Sequence, residues 1–193
     1  MKERVSLLGY ALLGLLNQRP GSGYALRKMF ASTPIGTFSD SPGAIYPALR
    51  RLERQGHIRG RVAQSAGLRR KQLFQLTPRG KATLREWLER PLKREDVVAG
   101  LKEVMLRFAF TDAAIGPAAS VRLLRDLARE LEAYVPTLHT YLREHRAAMP
   151  LSGRLALESG IRSYDDLSRW AADALVAYHA SARKKGRERR VRS

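Results

Sequence analysis

The run Ser41-Pro42-Gly43-Ala44-Ile45-Tyr46-Pro47-Ala48-Leu49-Arg50-Arg51-Leu52-Glu53-Arg54-Gln55-Gly56 decides the fold. Ser41 is a good N-cap, and Pro42 is preset for the first helical position, where its missing N–H costs nothing. From Pro42 to Gln55 the spacing of Ile45, Ala48, Leu49 and Leu52 makes one apolar stripe, which must face a small core. Gly43, Tyr46, Arg50 and Arg54 share the other side. Gly56 suits the left-handed position that closes such a helix. One face for a core and one face of Tyr and Arg is what a helix needs to lie in a DNA major groove.

Upstream, Gly21-Ser22-Gly23 reads as a turn, with Ser22 as N-cap of a helix from Gly23 to about Ala31; Leu26 and Phe30 face inward, Arg27 and Lys28 outward. Before it, Val5–Leu16 is apolar on nearly all sides. The stretch is too short to span a membrane, and Asn17-Gln18-Arg19-Pro20 offers no small-residue cleavage site, so it is not a secretory signal. A helix buried on two sides fits better, and it calls for a second domain or a partner subunit packed over the first.

Downstream, Ile58–Val62 and Gln72–Leu76 alternate in the manner of strands, joined by Ser65-Ala66-Gly67-Leu68-Arg69-Arg70-Lys71, a hairpin with a basic tip. Thr77-Pro78 repeats the cap-plus-proline signal and opens a helix to about Arg90, with Leu84, Trp87 and Leu88 inward. Three helices, a two-stranded basic wing and a helix make a winged helix-turn-helix.

Charge divides the chain in the same way. The 193 residues carry a net charge of +18: +12 over residues 1–92, zero over 93–182 and +6 over 183–193. Such an excess points to a polyanion partner, nucleic acid first. The expected organisation is a DNA-binding domain at 1–92, a helical dimerisation and effector domain at 93–182, and a disordered basic tail at 183–193, where Val191 alone is apolar. With no cysteine there is no disulfide framework and no thiolate metal site, and a reducing, cytoplasmic setting suits the composition.

Residues 93–182 read as helices: one around Leu101–Phe110, one opened by Pro117, and a last one from about Arg154 to Ala182. Leu124, Leu131 and Leu138 repeat every seven residues, as do Leu127, Tyr134 and Tyr141, giving a short coiled-coil-like seam. Pro136 is expected to kink or split that helix. The class is mainly α with a small β-hairpin wing, followed by C-terminal helices.

Several of these stretches resemble the PadR family of bacterial transcriptional regulators: Leu12-Leu13-Gly14-Leu15-Leu16, Gly23-Tyr24-Ala25-Leu26, Gly43 to Glu53 with Gly56, and Leu76-Thr77-Pro78-Arg79-Gly80. Tyr46-Pro47 with Leu49, Leu52, Glu53 and the following glycine is the most specific part. Leu157-Glu158-Ser159-Gly160-Ile161 and Trp170 are similar to the last helix of members with a long C-terminal domain. Two departures stand out: Leu73-Phe74 where the wing usually has an aromatic pair, and His57-Ile58 in place of an aliphatic pair. The resemblance implies a homodimer, usually a repressor, on palindromic operator DNA. It also implies a C-terminal dimer interface and, in relatives, small molecules that loosen DNA binding.

The candidate DNA-binding residues are therefore Tyr24, Ser41, Gly43, Tyr46, Arg50, Arg54, Arg69, Arg70 and Lys71. Arg50 has the reach for a bidentate contact with guanine, and Arg69, Arg70 and Lys71 suit phosphates as a group. Tyr24 falls on the family's Gly-Tyr motif, with phosphate contact and packing equally open. Trp87 and Trp170 are candidates for an effector pocket, since flat ligands stack on indole, with core or dimer-interface packing the plainer reading. No catalytic residue, metal site or cofactor is called for: His57, His139, His145 and His179 are scattered, and no phosphate-binding glycine loop is present. The expected partners are double-stranded DNA, a second copy of the chain and a small-molecule effector, with no membrane. A non-specific nucleic-acid binder relying on charge alone is the alternative.

Overall fold

A computed structural model describes residues 4–32, 42–63 and 71–191. The chain forms two compact units, Met1–Arg90 with Met105–Gly116, and Pro91–Val104 with Pro117–Ser193.

In the first unit, α1 spans Leu7–Gln18, capped by Ser6, whose hydroxyl accepts the Gly9 N–H at 3.2 Å. Leu12, Leu13, Leu15 and Leu16 are all buried, on more than one side of the helix. A Cβ built on Gly14 would lie 2.4 Å from Cδ2 of Phe110, so that ring rests on bare helix backbone. The cover over α1 that the sequence demands thus comes from Leu106 and Phe110, in the part of helix α6 (Leu101–Ala114) that belongs to this unit. The unit therefore reaches beyond residue 92 to take in a second segment of chain.

After α1, Gly21–Ser22 form β1 and Gly23–Ala31 form α2; α3 runs Pro42–Arg54. Strands β2 (Ile58–Ala63) and β3 (Lys71–Leu76) pair antiparallel, Ile58 opposite Leu76 and Gly60 opposite Phe74. β1 adds to the other side of β3, Gly21 opposite Phe74, giving the order β1-β3-β2. The turn expected at Gly21–Ser22 is thus a short strand, because its backbone groups find partners on β3. Helix α4, Pro78–Glu89, starts at its Thr77 cap. One core serves all of these elements, with Leu12, Phe30, Ile45, Leu49, Ile58 and Leu84 at 2% exposure or less.

The second unit contains α5 (Arg94–Ala99), α7 (Pro117–His145) and α8 (Leu151–Val191). Leu124, Leu127, Leu131 and Val135 of α7 are buried, as are Ile161 and Ala171 of α8. Tyr134 and Tyr164 meet edge to face at 5.3 Å, and His139 Nε2 lies 3.2 Å from Asp165 Oδ1. The Tyr164 hydroxyl donates toward the carbonyls of Val97 and Val98, 3.3 Å from each, which ties α5 to α8. Pro136 lies within α7 without splitting it. The prolyl nitrogen removes one backbone donor, but contacts to α8 on either side of it, Tyr134 with Tyr164 and His139 with Asp165, hold the helix in line. The tail read as disordered is instead helical to Val191. Arg and Lys are good helix formers, and a segment that extends an existing helix bears no nucleation cost.

Candidate nucleic-acid interface

Helix α3 presents the two faces its sequence requires. Ile45, Leu49 and Leu52 are at 2% exposure or less, whereas Gly43, Tyr46, Arg50 and Arg54 are exposed. Among the described residues, Arg50 and Arg54 make no ion pair, so both guanidinium groups are available to an outside anion. The helix ends at Gly56, whose φ of +73° only glycine adopts without strain.

Helix α2 is set against α3 at its first turn. Ser22 Oγ accepts the Ala25 N–H at 3.2 Å, which fixes where α2 begins. Gly23 follows immediately, and the Tyr46 ring crosses over it. Tyr24 is 59% exposed, with the Arg27 guanidinium 5.9 Å from its ring centre. Tyr24, Tyr46 and Arg50 thus lie exposed on the two helices of the helix-turn-helix.

The wing is fastened to α3 by a carboxylate. Glu53 Oε1 accepts the Gly60 N–H at 2.7 Å, joining the last turn of α3 to the middle of β2. A Cβ at Gly60 would come within 2.8 Å of that oxygen and still closer to the Gln72 amide, so only glycine lets the carboxylate in. Below it, Thr77 Oγ1 donates to the Gly56 carbonyl at 2.7 Å and accepts the Gly80 N–H at 3.0 Å. One hydroxyl therefore ties the α3 turn to the start of α4. The His57 carbonyl accepts the Thr77 N–H at 3.1 Å and packs so tightly on Gly80 that no Cβ fits there.

His57 is buried, with Nδ1 3.4 Å from Thr83 Oγ1. Burial, and then the nearby Arg79 charge, hold its imidazole below the ordinary histidine pKa. An uncharged ring suits this buried position.

Arg59 and Arg61 point outward from β2, with Arg59 opposite Gln75 in the ladder. They and Arg27 add to the cationic surface, and the sequence reading did not single them out. Their signal was present: in residues 42–62, Glu53 is the single acid among five arginines. Ser41, Arg69 and Arg70 lie outside the described residues, and for Lys71 only the backbone, in β3, is described.

The two tryptophans fall in different units. Trp87 is 7% exposed and stacks on Tyr10, ring centres 4.3 Å apart and planes 6° from parallel, so one indole face is already covered within the core. Trp170 is half-buried on α8. Among the described residues no helix is long and apolar enough to cross a membrane, and no group of three metal-ligating side chains converges.

Residues 12–86 match the Transcriptional regulator PadR-like family. Over 147 residues the chain is 26% identical to the negative transcriptional regulator PadR of Bacillus subtilis (strain 168), covering 76% of this chain and 79% of that one. The solved structure of Bacillus subtilis PadR in complex with operator DNA is 24% identical, with a TM-score of 0.41 over 90% of this chain and 99% of that chain. The same regulator with p-coumaric acid is 24% identical, with a TM-score of 0.38 over 93% of this chain and 99% of the other. A PadR-like transcriptional regulator from Bacillus cereus is 25% identical, with a TM-score of 0.39 over 90% and 99%.

Proposed function

We propose that this chain, whose residues 12–86 match the PadR-like family of transcriptional regulators, is a DNA-binding repressor acting as a homodimer on a palindromic operator. Each copy lays α3 in a major groove, and Tyr46 and Arg50 meet base edges or backbone there. The wing and the first turn of α2 hold phosphates on either side. The observation that carries this reading is the exposed row of α3, where Arg50 and Arg54 have no ionic partner among the described residues.

The second unit supplies the dimer contact. Tyr141, Leu151, Leu155 and Val176 on α7 and α8 are 49–67% exposed, more apolar surface than two helices of a monomer usually leave to water. The heptad seam fits the same role: its first leucines are buried inside the chain and Tyr141 at its end is not. A small molecule acting on this unit would loosen the operator complex, the regulatory half of the proposal.

The decisive experiment is fluorescence anisotropy at fixed salt with duplexes tiled across the DNA upstream of its own gene, against a scrambled duplex. The expected result is one duplex bound at least about a thousandfold more tightly than the scrambled one. A ratio near one on every duplex would leave the charge-driven, non-specific reading in its place.

A further inference from the structure

Helix α8 changes character along its length. Over residues 151–182 it carries three basic and four acidic side chains, and Ile161 and Ala171 are buried. Tyr178 is half-buried, and residues 179–184 after it are all exposed. Residues 183–191 then carry six basic side chains, with Glu188 as the single acid, and the helix runs through them to Val191. From residue 179 onward that is about 20 Å of helix, at about 1.5 Å per residue. Like charges recur there at the four-residue spacing at which they repel on a helix, Arg183 with Arg187 and Lys185 with Arg189. Placing cations at a helix C-terminus offsets part of that repulsion through the helix dipole. A polyanion would remove the rest. After Tyr178, Val191 is the one apolar residue larger than alanine, so this end lacks the apolar face with which a helix settles into a membrane surface. It also has no aromatic residue on which unstacked bases of a single strand could lie. A duplex asks for neither, since its closely spaced phosphates need only cations.

We propose that the C-terminal end of α8, residues 183–191, is a second DNA-binding surface, which holds the backbone phosphates of a duplex whatever their base sequence. The choice of duplex DNA as the polyanion rests on the function proposed above; the surface itself rests on the charge step within one continuous helix. Phosphate contacts release counterions, so this surface gives binding that falls steeply with salt. They carry no sequence information, so it adds affinity to operator and random DNA alike. Helix α8 thereby has two parts: a near-neutral one packed within its own unit, and a cationic one that acts on DNA.

The test uses the full chain with its glycines labelled with nitrogen-15. Gly186 lies inside the basic run, whereas Gly153 and Gly160 lie near the start of α8. With a random-sequence duplex the Gly186 amide should shift saturably while Gly153 and Gly160 stay in place. A charge-neutralised variant carries Arg183→Gln, Lys184→Gln, Lys185→Gln, Arg187→Gln, Arg189→Gln and Arg190→Gln. Glutamine forms helix about as well as the residues it replaces, so the thermal midpoint should hold. Affinity for the random duplex should fall at least about tenfold at low salt, and the slope of log K against log salt by at least about two. The operator-to-random ratio should change by less than about threefold. An unmoved Gly186, an unaltered slope, or a ratio that changes about tenfold or more would each overturn the surface. So would binding to vesicles of phosphatidylserine and phosphatidylcholine that the neutralised variant loses while its duplex binding is unchanged, which would give the helix end to a membrane. Failure of the two readings is distinguishable. Operator binding with a silent Gly186 and an unaltered variant removes this surface alone; a responsive Gly186 with no preference for any operator duplex removes the regulator reading alone.

Discussion

A Cβ placed on Gly23 would lie 2.6 Å from Cε1 of Tyr46, so the tyrosine rests on bare backbone at the first turn of α2. That contact sets where the ring, 39% exposed, stands on the surface of the helix-turn-helix. Gly23→Ala should push the ring aside and weaken operator binding about tenfold, with little change in the thermal midpoint. In a Tyr46→Ala background the same change should have almost no further effect, since the two residues act through one contact. Anisotropy on the four proteins measures the coupling.

Arg50 lies on the exposed side of α3, opposite Ile45, Leu49 and Leu52. Arg50→Ala should leave stability within about 0.5 kcal/mol. It should also relax base preference at one position in each half-site, by the ~1–3 kcal/mol of a bidentate guanine contact. Binding to a set of single-base operator variants reads this out. Equal weakening on all DNA would make Arg50 a phosphate contact instead.

Glu53→Ala should leave the Gly60 N–H, half-buried in β2, without its 2.7 Å acceptor, at a cost of about 1–3 kcal/mol. Glu53→Gln keeps an oxygen in place and should recover most of that loss. Amide exchange at Gly60 is the direct probe: faster in the alanine variant, near wild type in the glutamine variant. If both variants exchange alike, the carboxylate does not hold the wing.

His57 gives stability a pH dependence of definite sign. Its folded pKa lies below the ordinary histidine value of 6.5, so in the window between the two the unfolded chain takes up more protons. Its contribution is complete above 6.5 and is lost as pH falls toward the folded pKa. Between about pH 7.5 and about pH 5 the thermal midpoint should therefore drop less in His57→Leu than in the wild type. Equal slopes would show that the ring accommodates its charge in place.

The elements legible in the sequence are those announced by local chemistry. Ser22, Thr77-Pro78 and Gly56 each act within a single turn, and the structure has α2, α4 and the end of α3 where those residues put them. The two arginines and the tyrosine of α3 were legible for the same reason, since a helix start and a 3.6-residue period assign its faces. What stayed hidden depends on distant partners. β1 is a strand only because Phe74 and Leu73 lie opposite it. The hold of Glu53 on Gly60 joins a helix to a strand around a glycine turn, and no pattern within either element signals it. Phe110 reads as one more apolar helix residue until Gly14, far away in sequence, leaves room for its ring. Helix α7 crosses Pro136 because Tyr134 and His139, on either side of it, both engage α8, a tertiary effect that outweighs the proline rule.

The first unit is closed by residues 105–116, after the chain has already contributed 91–104 to the second. For anyone building hybrid regulators, this means the DNA-reading half is not a cassette. A graft ending at residue 90 would leave Phe110 behind and open the flank of α1 to water. A working exchange must transplant two separate stretches of gene, and recombination at a single crossover would yield an exposed leucine helix in place of a new specificity.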